Sequence, residues 1–329
     1  MSERFVLLKQ FIQQQLNGAE PSLDMVSGDA SFRRYYRLTS TTPALILMDA
    51  PPSHEDVAKF VRLDLAFAAA GLRVPQIVAQ DIEHGFLALE DLGDQMLSQR
   101  LDDHATRWYQ AALAMLPAVR KVHQHTDLPR FDAAFIQREL GIFTEWFVGK
   151  YLGRVLNSAE QQLLNDTFHI IEHNLLQQPI AGMHRDFHSR NLMVLADDSL
   201  VAIDFQDAVQ GPVCYDAVSL LRDCYVRWPD AQVTEWARHF YQQLQAEGFY
   251  AAGFAAFQRD FDFVGLQRHI KVLGIFCRLN FRDGKAGYMA DLPRVYGYVV
   301  DVAQQYAELQ PFARWLESLV PPAWQEHRQ

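Results

Sequence analysis

The segment "HRDFHSRN", His184 to Asn191, sets an aspartate and an asparagine at a D-x-x-x-x-N spacing, and Asp204 follows behind the apolar run Val201-Ala202-Ile203. A carboxylate can take the proton from a hydroxyl nucleophile. An amide oxygen and a second carboxylate are hard ligands of the kind that hold Mg²⁺ against phosphates. Asp186, Asn191 and Asp204 thus supply a base and two metal ligands, the groups that phosphoryl transfer to a hydroxyl asks of a protein. Taken singly, an Asp or Asn in a loop is usually a turn former; the joint order of the three carries the chemical reading. The intervening stretch "NLMVLADDSLVAID" reads as strand, loop and strand, a hairpin whose ends must converge.

"HRDFHSRN", "IDFQDA" and "GPVCYDAVSLL" resemble the aminoglycoside phosphotransferase family of the protein-kinase-like fold, and "FLALEDLG" resembles its hinge. Within that family, "GDASFRRYYRL", "LMDAPP", "ELGIFTEWFV" and "GIFCRLNFRDGK" most resemble the bacterial anomeric kinases of N-acetylmuramate and N-acetylglucosamine. The resemblance runs from about Gly28 to Tyr298. It implies an α+β, bilobal protein-kinase-like fold, with a small β-rich N-lobe at 1–92 and a larger, mainly helical C-lobe at 93–329. It further implies ATP and Mg²⁺ as cofactors, Asp186 as catalytic base, and Asn191 and Asp204 as Mg²⁺ ligands. The backbone of Glu90 and Leu92 would contact adenine. A loop over Gly28 to Arg34, including Asp29, Ser31 and Arg33, would cover the phosphates, and Asp216 would brace the catalytic loop. The implied product is a sugar 1-phosphate, an early step in returning cell-wall sugars to nucleotide-sugar synthesis, that is, peptidoglycan recycling. Two alternatives stand beside it: a kinase for another hydroxyl acceptor, such as an aminoglycoside or a choline-like amine, and a nucleotide-binding pseudokinase.

One departure motivates the pseudokinase reading. The strand after the phosphate loop normally carries a lysine for the α and β phosphates, paired to a helix glutamate, but here it reads "ALILMDAPP", with Met48 or a neighbour at that place. Three accounts compete. Arginines of "SFRRYYR" hold the phosphates, a lysine such as Lys59 reaches in from another element, or nucleotide binds without turnover. The intact base and metal ligands argue against the last, and Arg34 and Arg37 are the preferred candidates, with Arg33 balanced between phosphates and solvent.

Acceptor residues are sought on the helices. Arg278 and Arg282 lie i, i+4 with Asn280 between, so their guanidinium groups can share a helix face. They either compensate the helix dipole or bind sugar substituents, including a lactyl carboxylate; the resemblance favours the second. Glu145 is open as a hydroxyl acceptor, whereas Phe143, Trp146 and Phe147 read as packing. His184 and His188 form an H-x-x-x-H pair, but without an adjacent glutamate a zinc site is disfavoured. Arg185 is either near the transferred phosphate or bracing the loop.

The elements that position these groups follow from periodicity. Before Glu90 the order is helix, two strands, helix, two strands, with a Ser-x-x-Asp capping box at Ser53 and Asp56 opening the second helix. From about Gln95, helical spacing dominates: 108–124, 135–156, 160–176, 215–225, 233–246, 255–278 and 295–316. A chain of 329 residues suits two lobes. A net charge of −10, with lysine only at 9, 59, 121, 150, 271 and 285, argues against nucleic acid. Three cysteines without C-x-x-C spacing indicate neither disulfides nor thiolate zinc. With no signal-like h-region or apolar run of membrane length, the expectation is a cytoplasmic monomer or weak dimer whose partners are ATP and a small amino sugar, not a membrane.

Overall fold

In the computed structural model, which describes residues 3–16, 22–28, 32–101 and 105–326, the chain divides into two compact units. The first draws on residues 1–100, 124–126 and 190–207; the second on 101–123, 127–189 and 208–329. The first opens with α1 (Glu3–Gln15), β1 (Leu23–Gly28), β2 (Arg34–Leu38), β3 (Leu45–Asp49), α2 (Val57–Ala69), β4 (Ile77–Asp81) and β5 (Phe86–Glu90). The strands form one antiparallel sheet in the order β1-β2-β3-β5-β4. The expected hairpin is β2–β3, with Arg34 opposite Asp49 and Leu38 opposite Leu45. Strand β1 escaped the sequence reading, because "LDMVSG" shows weak alternation and ends in turn-forming residues. Leu8, Phe11 and Ile12 of α1 bury against Leu38, Leu45, Leu47, Phe86 and Ala88, which is why its apolar residues recur at helical spacing.

The turn between β4 and β5 needs glycine. Gly85 has φ 75°, and a Cβ there would lie 2.0 Å from the Ala50 carbonyl oxygen. The expected cap of α2 is corrected: Asp56 itself is the N-cap, accepting from the Lys59 N–H at 2.9 Å, while the Ser53 hydroxyl bonds the His54 ring at 2.8 Å.

Beyond the hinge come α3 (Ala105–Leu113), α4 (Leu116–Lys121), α5 (Ala133–Ile142), α6 (Ser158–Gln177), β6 (Ile180–Met183), β7 (Leu192–Val194), β8 (Leu200–Ala202) and β9 (Val209–Pro212). After these lie α7 (Tyr215–Leu221), α8 (Asp230–Ala246), α9 (Phe254–Asp283), α10 (Leu292–Ala303), α11 (Gln310–Leu319) and α12 (Ala323–Glu326). Two helices read as continuous are divided: Pro117 opens α4, and Pro311 opens α11, since proline fits only a first turn. The helix starting at α5 continues as a π-helix over Phe143–Tyr151. The β7–β8 hairpin belongs to the first unit: the Ala202 N–H donates to the Arg73 carbonyl at 2.9 Å and the Val194 N–H to the Gln95 carbonyl at 2.8 Å. Antiparallel β6–β9 belongs to the second. Helix α9 forms the axis of that unit, buried almost continuously from Phe261 to Gly274. Among the described residues no helix is long and apolar enough to cross a membrane.

Candidate active site

In the first unit the hairpin closes as its sequence requires. Leu192 pairs with Ala202, the Ile203 N–H donates to the Asn191 carbonyl at 3.0 Å, and the Asn191 amide lies 3.3 Å from Asp204 Oδ2. Asp204 adopts a left-handed φ of 65°, a conformation that costs about 1–3 kcal/mol and is typical of functional positions. Gln206 donates to its other oxygen at 2.7 Å. The ring of Phe205 is clamped by Phe60 and Phe67 of α2, with centroids at 5.0 and 5.6 Å. Among the described residues no group of three or more His, Cys, Asp or Glu could hold a metal. Asn191 and Asp204 therefore offer two hard oxygens, a set that suits Mg²⁺ when phosphates and water complete the octahedron.

The cations around this pair are sorted by their partners. Arg33, 8% exposed, lies 3.2 Å from Glu55 just ahead of α2. Burial opposes its charge, but Tyr35, Glu55 and Asp204 favour it and its pKa is raised. Arg33 thus feels the charge of Asp204 while paired with Glu55. Lys59 of α2 lies 3.6 Å from Asp207, just beyond. Arg34 is held by Asp49 at 2.6 Å, a carboxylate shared with Arg4. Arg37, expected at the phosphates, bonds Asp91 at 2.7 Å and Asp94 at 2.8 Å, in the segment behind the hinge. Met48 is fully buried, packed as core where a lysine would need solvent or a partner. Gly28 ends β1 opposite Arg34, while Asp29 and Ser31 lie outside the described residues. At the hinge, the Glu90 N–H already donates to the Gln76 carbonyl at 2.9 Å, and its side chain is paired with Arg73. Leu92 is partly exposed beside Gly93.

The second unit carries Asp186. Asp216, at the start of α7, accepts the backbone N–H of His184 at 2.8 Å and of Arg185 at 2.9 Å, the bracing expected of it. Asp223 does the same at the far end, binding the Ser189 N–H at 3.0 Å and its hydroxyl at 2.5 Å. Between these anchors Arg185 takes a left-handed φ of 77°, and the Asp186 carbonyl accepts the His188 N–H at 3.0 Å. Burial opposes the Asp186 charge, yet Lys271, His188, Arg185 and Arg268 outweigh it and hold the carboxyl below its usual range. It is thus ionised at neutral pH, the charge state a general base needs. Of the two histidines, His184 is fully buried edge-on to Phe187, and His188 is edge-on to Tyr225.

Of the acceptor candidates, Glu145 is exposed on the π-helix and acts electrostatically on Arg278. Burial and Arg282 hold the Arg278 guanidinium below its usual pKa, with Asp283 and Glu145 opposing. Arg282 is turned to Asp283, at 2.8 and 2.9 Å. The Asn280 carbonyl caps α9 by accepting the Gly284 N–H at 3.2 Å. Phe143 and Phe147 are buried and stacked at 5.3 Å, as packing residues should be. Sequence reasoning missed Asp223, Glu139, Arg268 and Lys271. The last had a signal: a lysine inside the apolar run "HIKVLGIF" must be paired if that run is buried.

Comparison with known proteins locates this arrangement. The chain matches the phosphotransferase enzyme family over residues 23–257. It is 40% identical to an N-acetylmuramate/N-acetylglucosamine kinase of Pseudomonas putida, covering 91% of this chain and 88% of that protein. With the protein of the same name from Neisseria meningitidis serogroup B it shares 37% identity, over 97% of this chain and 96% of the relative. In structure it resembles a choline/ethanolamine kinase family protein from Mesorhizobium loti, with TM-score 0.64 at 14% identity over 96% and 99% of the two chains. A thermostable mutant of an aminoglycoside phosphotransferase gives TM-score 0.62 at 14% identity over 91% and 99%. The fold is protein-kinase-like, with an N-terminal antiparallel sheet and a largely helical remainder.

Proposed function

We propose, from the premise that this chain belongs to the phosphotransferase enzyme family, that it phosphorylates the anomeric hydroxyl of N-acetylmuramate or N-acetylglucosamine. That it is an ATP-dependent sugar kinase rests on the family and the kinase relatives. The anomeric position, the role in cell-wall sugar recycling and a cytoplasmic location are our reading. The observation that carries the reading is Asp186: a carboxylate kept ionised by surrounding cations, on a loop pinned at both ends by Asp216 and Asp223.

Asp186 accepts the proton of the sugar O1 hydroxyl as that oxygen bonds the γ-phosphorus. The bond from γ-phosphorus to the bridging oxygen breaks, and ADP leaves with its electron pair. Asn191 and Asp204 would hold Mg²⁺, which would supply neutralisation of phosphate charge. Arg33 adds a fixed guanidinium on the same phosphates, which removes the motive for a pseudokinase. Glu90 and Leu92 offer their backbone to adenine. Arg278, a guanidinium already short of partners for its charge, takes the acceptor's carboxylate or acetamido oxygen, with Glu145 beside it for a hydroxyl. An arginine there disfavours a choline-like cation.

The test is ATP consumption with a panel of amino sugars, aminoglycosides and choline, with ³¹P NMR of the product. A sugar 1-phosphate is expected. A 6-phosphate overturns the anomeric assignment, and turnover with choline alone overturns the sugar.

A further inference from the structure

The catalytic aspartate is aimed by a buried charge cluster that no local motif encodes. Glu139 of α5 and Lys271 of α9 are each 4% exposed. Glu139 Oε1 accepts the Arg185 guanidinium at 2.6 Å and lies 3.5 Å from Lys271 Nζ, while its Oε2 accepts the Gln267 amide at 2.8 Å. Lys271 Nζ also donates to the Tyr215 hydroxyl at 3.0 Å, on the first residue of α7. One carboxylate therefore ties α5, α9 and the catalytic loop together, and the lysine ties in the helix whose Asp216 holds that loop's backbone. Arg185, the residue so gripped, directly precedes Asp186 and carries the left-handed φ of 77°. Its side chain also lies over Phe135 of α5, 5.0 Å from the ring centroid.

Burying a glutamate and a lysine in an apolar interior is costly, and such pairs often contribute no net stability relative to apolar residues of the same volume. Packing alone therefore does not explain their presence at the core of three helices. Holding one backbone conformation of a loop does, because the guanidinium of Arg185 fits a carboxylate in one geometry.

We propose that Glu139, backed by Lys271, is the positioning residue of this kinase: it grips Arg185 and so aims Asp186 at the acceptor hydroxyl. This rests on the proposed function, and the same cluster has an electrostatic consequence. The charged groups acting on Asp186 are Lys271 and Arg268 from α9, Arg185 and His188 from its own loop, and Asp216 from α7. Lys271 is the foremost of those favouring its ionised form. Removing Lys271 raises the Asp186 pKa, so the acid limb of kcat moves to higher pH.

The test compares Glu139→Gln, Lys271→Met, Lys271→Arg and the double variant Glu139→Gln/Lys271→Met, the last removing both buried charges at once so that neither is left unpaired by the other. Two readouts are followed: sugar-kinase kinetics, and amide hydrogen exchange of the peptide covering residues 183–189. For Glu139→Gln, kcat falls by about 100-fold while the KM values for ATP and sugar stay within about threefold, and exchange in that peptide accelerates. Lys271→Arg restores most of kcat, and Lys271→Met moves the acid limb upward. A folded double variant, by thermal unfolding and ADP binding, with kcat within about threefold of the wild type and unchanged exchange overturns the proposal. If the wild type phosphorylates no sugar while Glu139→Gln still loosens the 183–189 peptide, the kinase assignment fails and the clamp stands.

Discussion

The orientation and charge of Asp186 depend on residues distant in sequence as well as on its neighbours. Asp216 accepts the backbone N–H of the preceding Arg185, and against burial Lys271 and Arg268 join His188 and Arg185 in favouring the ionised form of Asp186. Replacing it with asparagine keeps the hydrogen bonds of the loop but removes the proton acceptor. Asp186→Asn is expected to lower kcat by about 100- to 10,000-fold with little change in ADP affinity, measured by single-turnover phosphorylation and titration calorimetry. At the same scale the arginines separate. Arg33→Ala should raise the KM for ATP by about tenfold or more, the loss of one charged phosphate contact. Arg37→Ala should leave that KM nearly unchanged and lower the melting temperature, because its partners are Asp91 and Asp94. Equal effects of the two on the KM for ATP would return the phosphate role to Arg37. Nothing in "FRRYYR" distinguishes these residues; their partners, Glu55 for Arg33 and Asp91 with Asp94 for Arg37, do.

At the scale of elements, helices α2 and α9 each carry a residue whose cost is visible. Asp64 of α2 is 3% exposed, its Oδ2 has no hydrogen-bond partner among the described residues, and burial pushes its pKa up to about 7. The folded protein therefore retains a proton that the unfolded chain releases near its ordinary value of about 3.9. Stability contributed at this site falls as pH climbs from about 4 to about 7 and does not recover above that. The melting temperature of Asp64→Asn relative to wild type should be at least about 3 °C higher at pH 8 than at pH 4, by differential scanning calorimetry. Parallel pH dependence in the two proteins would exclude this account. Gly274 of α9 is where that helix meets the end of α5: a Cβ there would lie 2.4 Å from the Ile142 carbonyl oxygen. Gly274→Ala should cost about 1–3 kcal/mol in urea unfolding and lower kcat as well, since Gln267 and Lys271 reach Glu139 from the same helix.

For the whole molecule, the organising fact is that residues 190–207 belong to the first unit although the chain reaches them only after helices α3 to α6 of the second. Asn191 and Asp204, the proposed metal ligands, thus reside with the N-terminal sheet, and Asp186, the proposed base, with the helical unit. Mg²⁺ and nucleotide binding to the native protein should stabilise it by about 2.7 kcal/mol at 100 times the dissociation constant. EDTA should abolish most of that gain when ADP is the ligand, as measured by thermal shift. An equal gain with and without EDTA would mean that the nucleotide binds without help from Asn191 and Asp204.

Much of this was legible in the chain itself. The D-x-x-x-x-N spacing, Asp204 behind its apolar strand, the hairpin between them and the family resemblance are all local, and local spacing is enough when a hairpin or one loop brings the groups together. The absence of a strand lysine was equally plain at Met48. What replaces that lysine, and what holds Asp186, needed the tertiary structure. Arg33 with Asp204, and Glu139 with Arg185 and Lys271, join residues far apart in sequence. Such charges are selected by which faces of which helices and strands are buried together, and a guanidinium or carboxylate reveals its role only through the partner that offsets its desolvation.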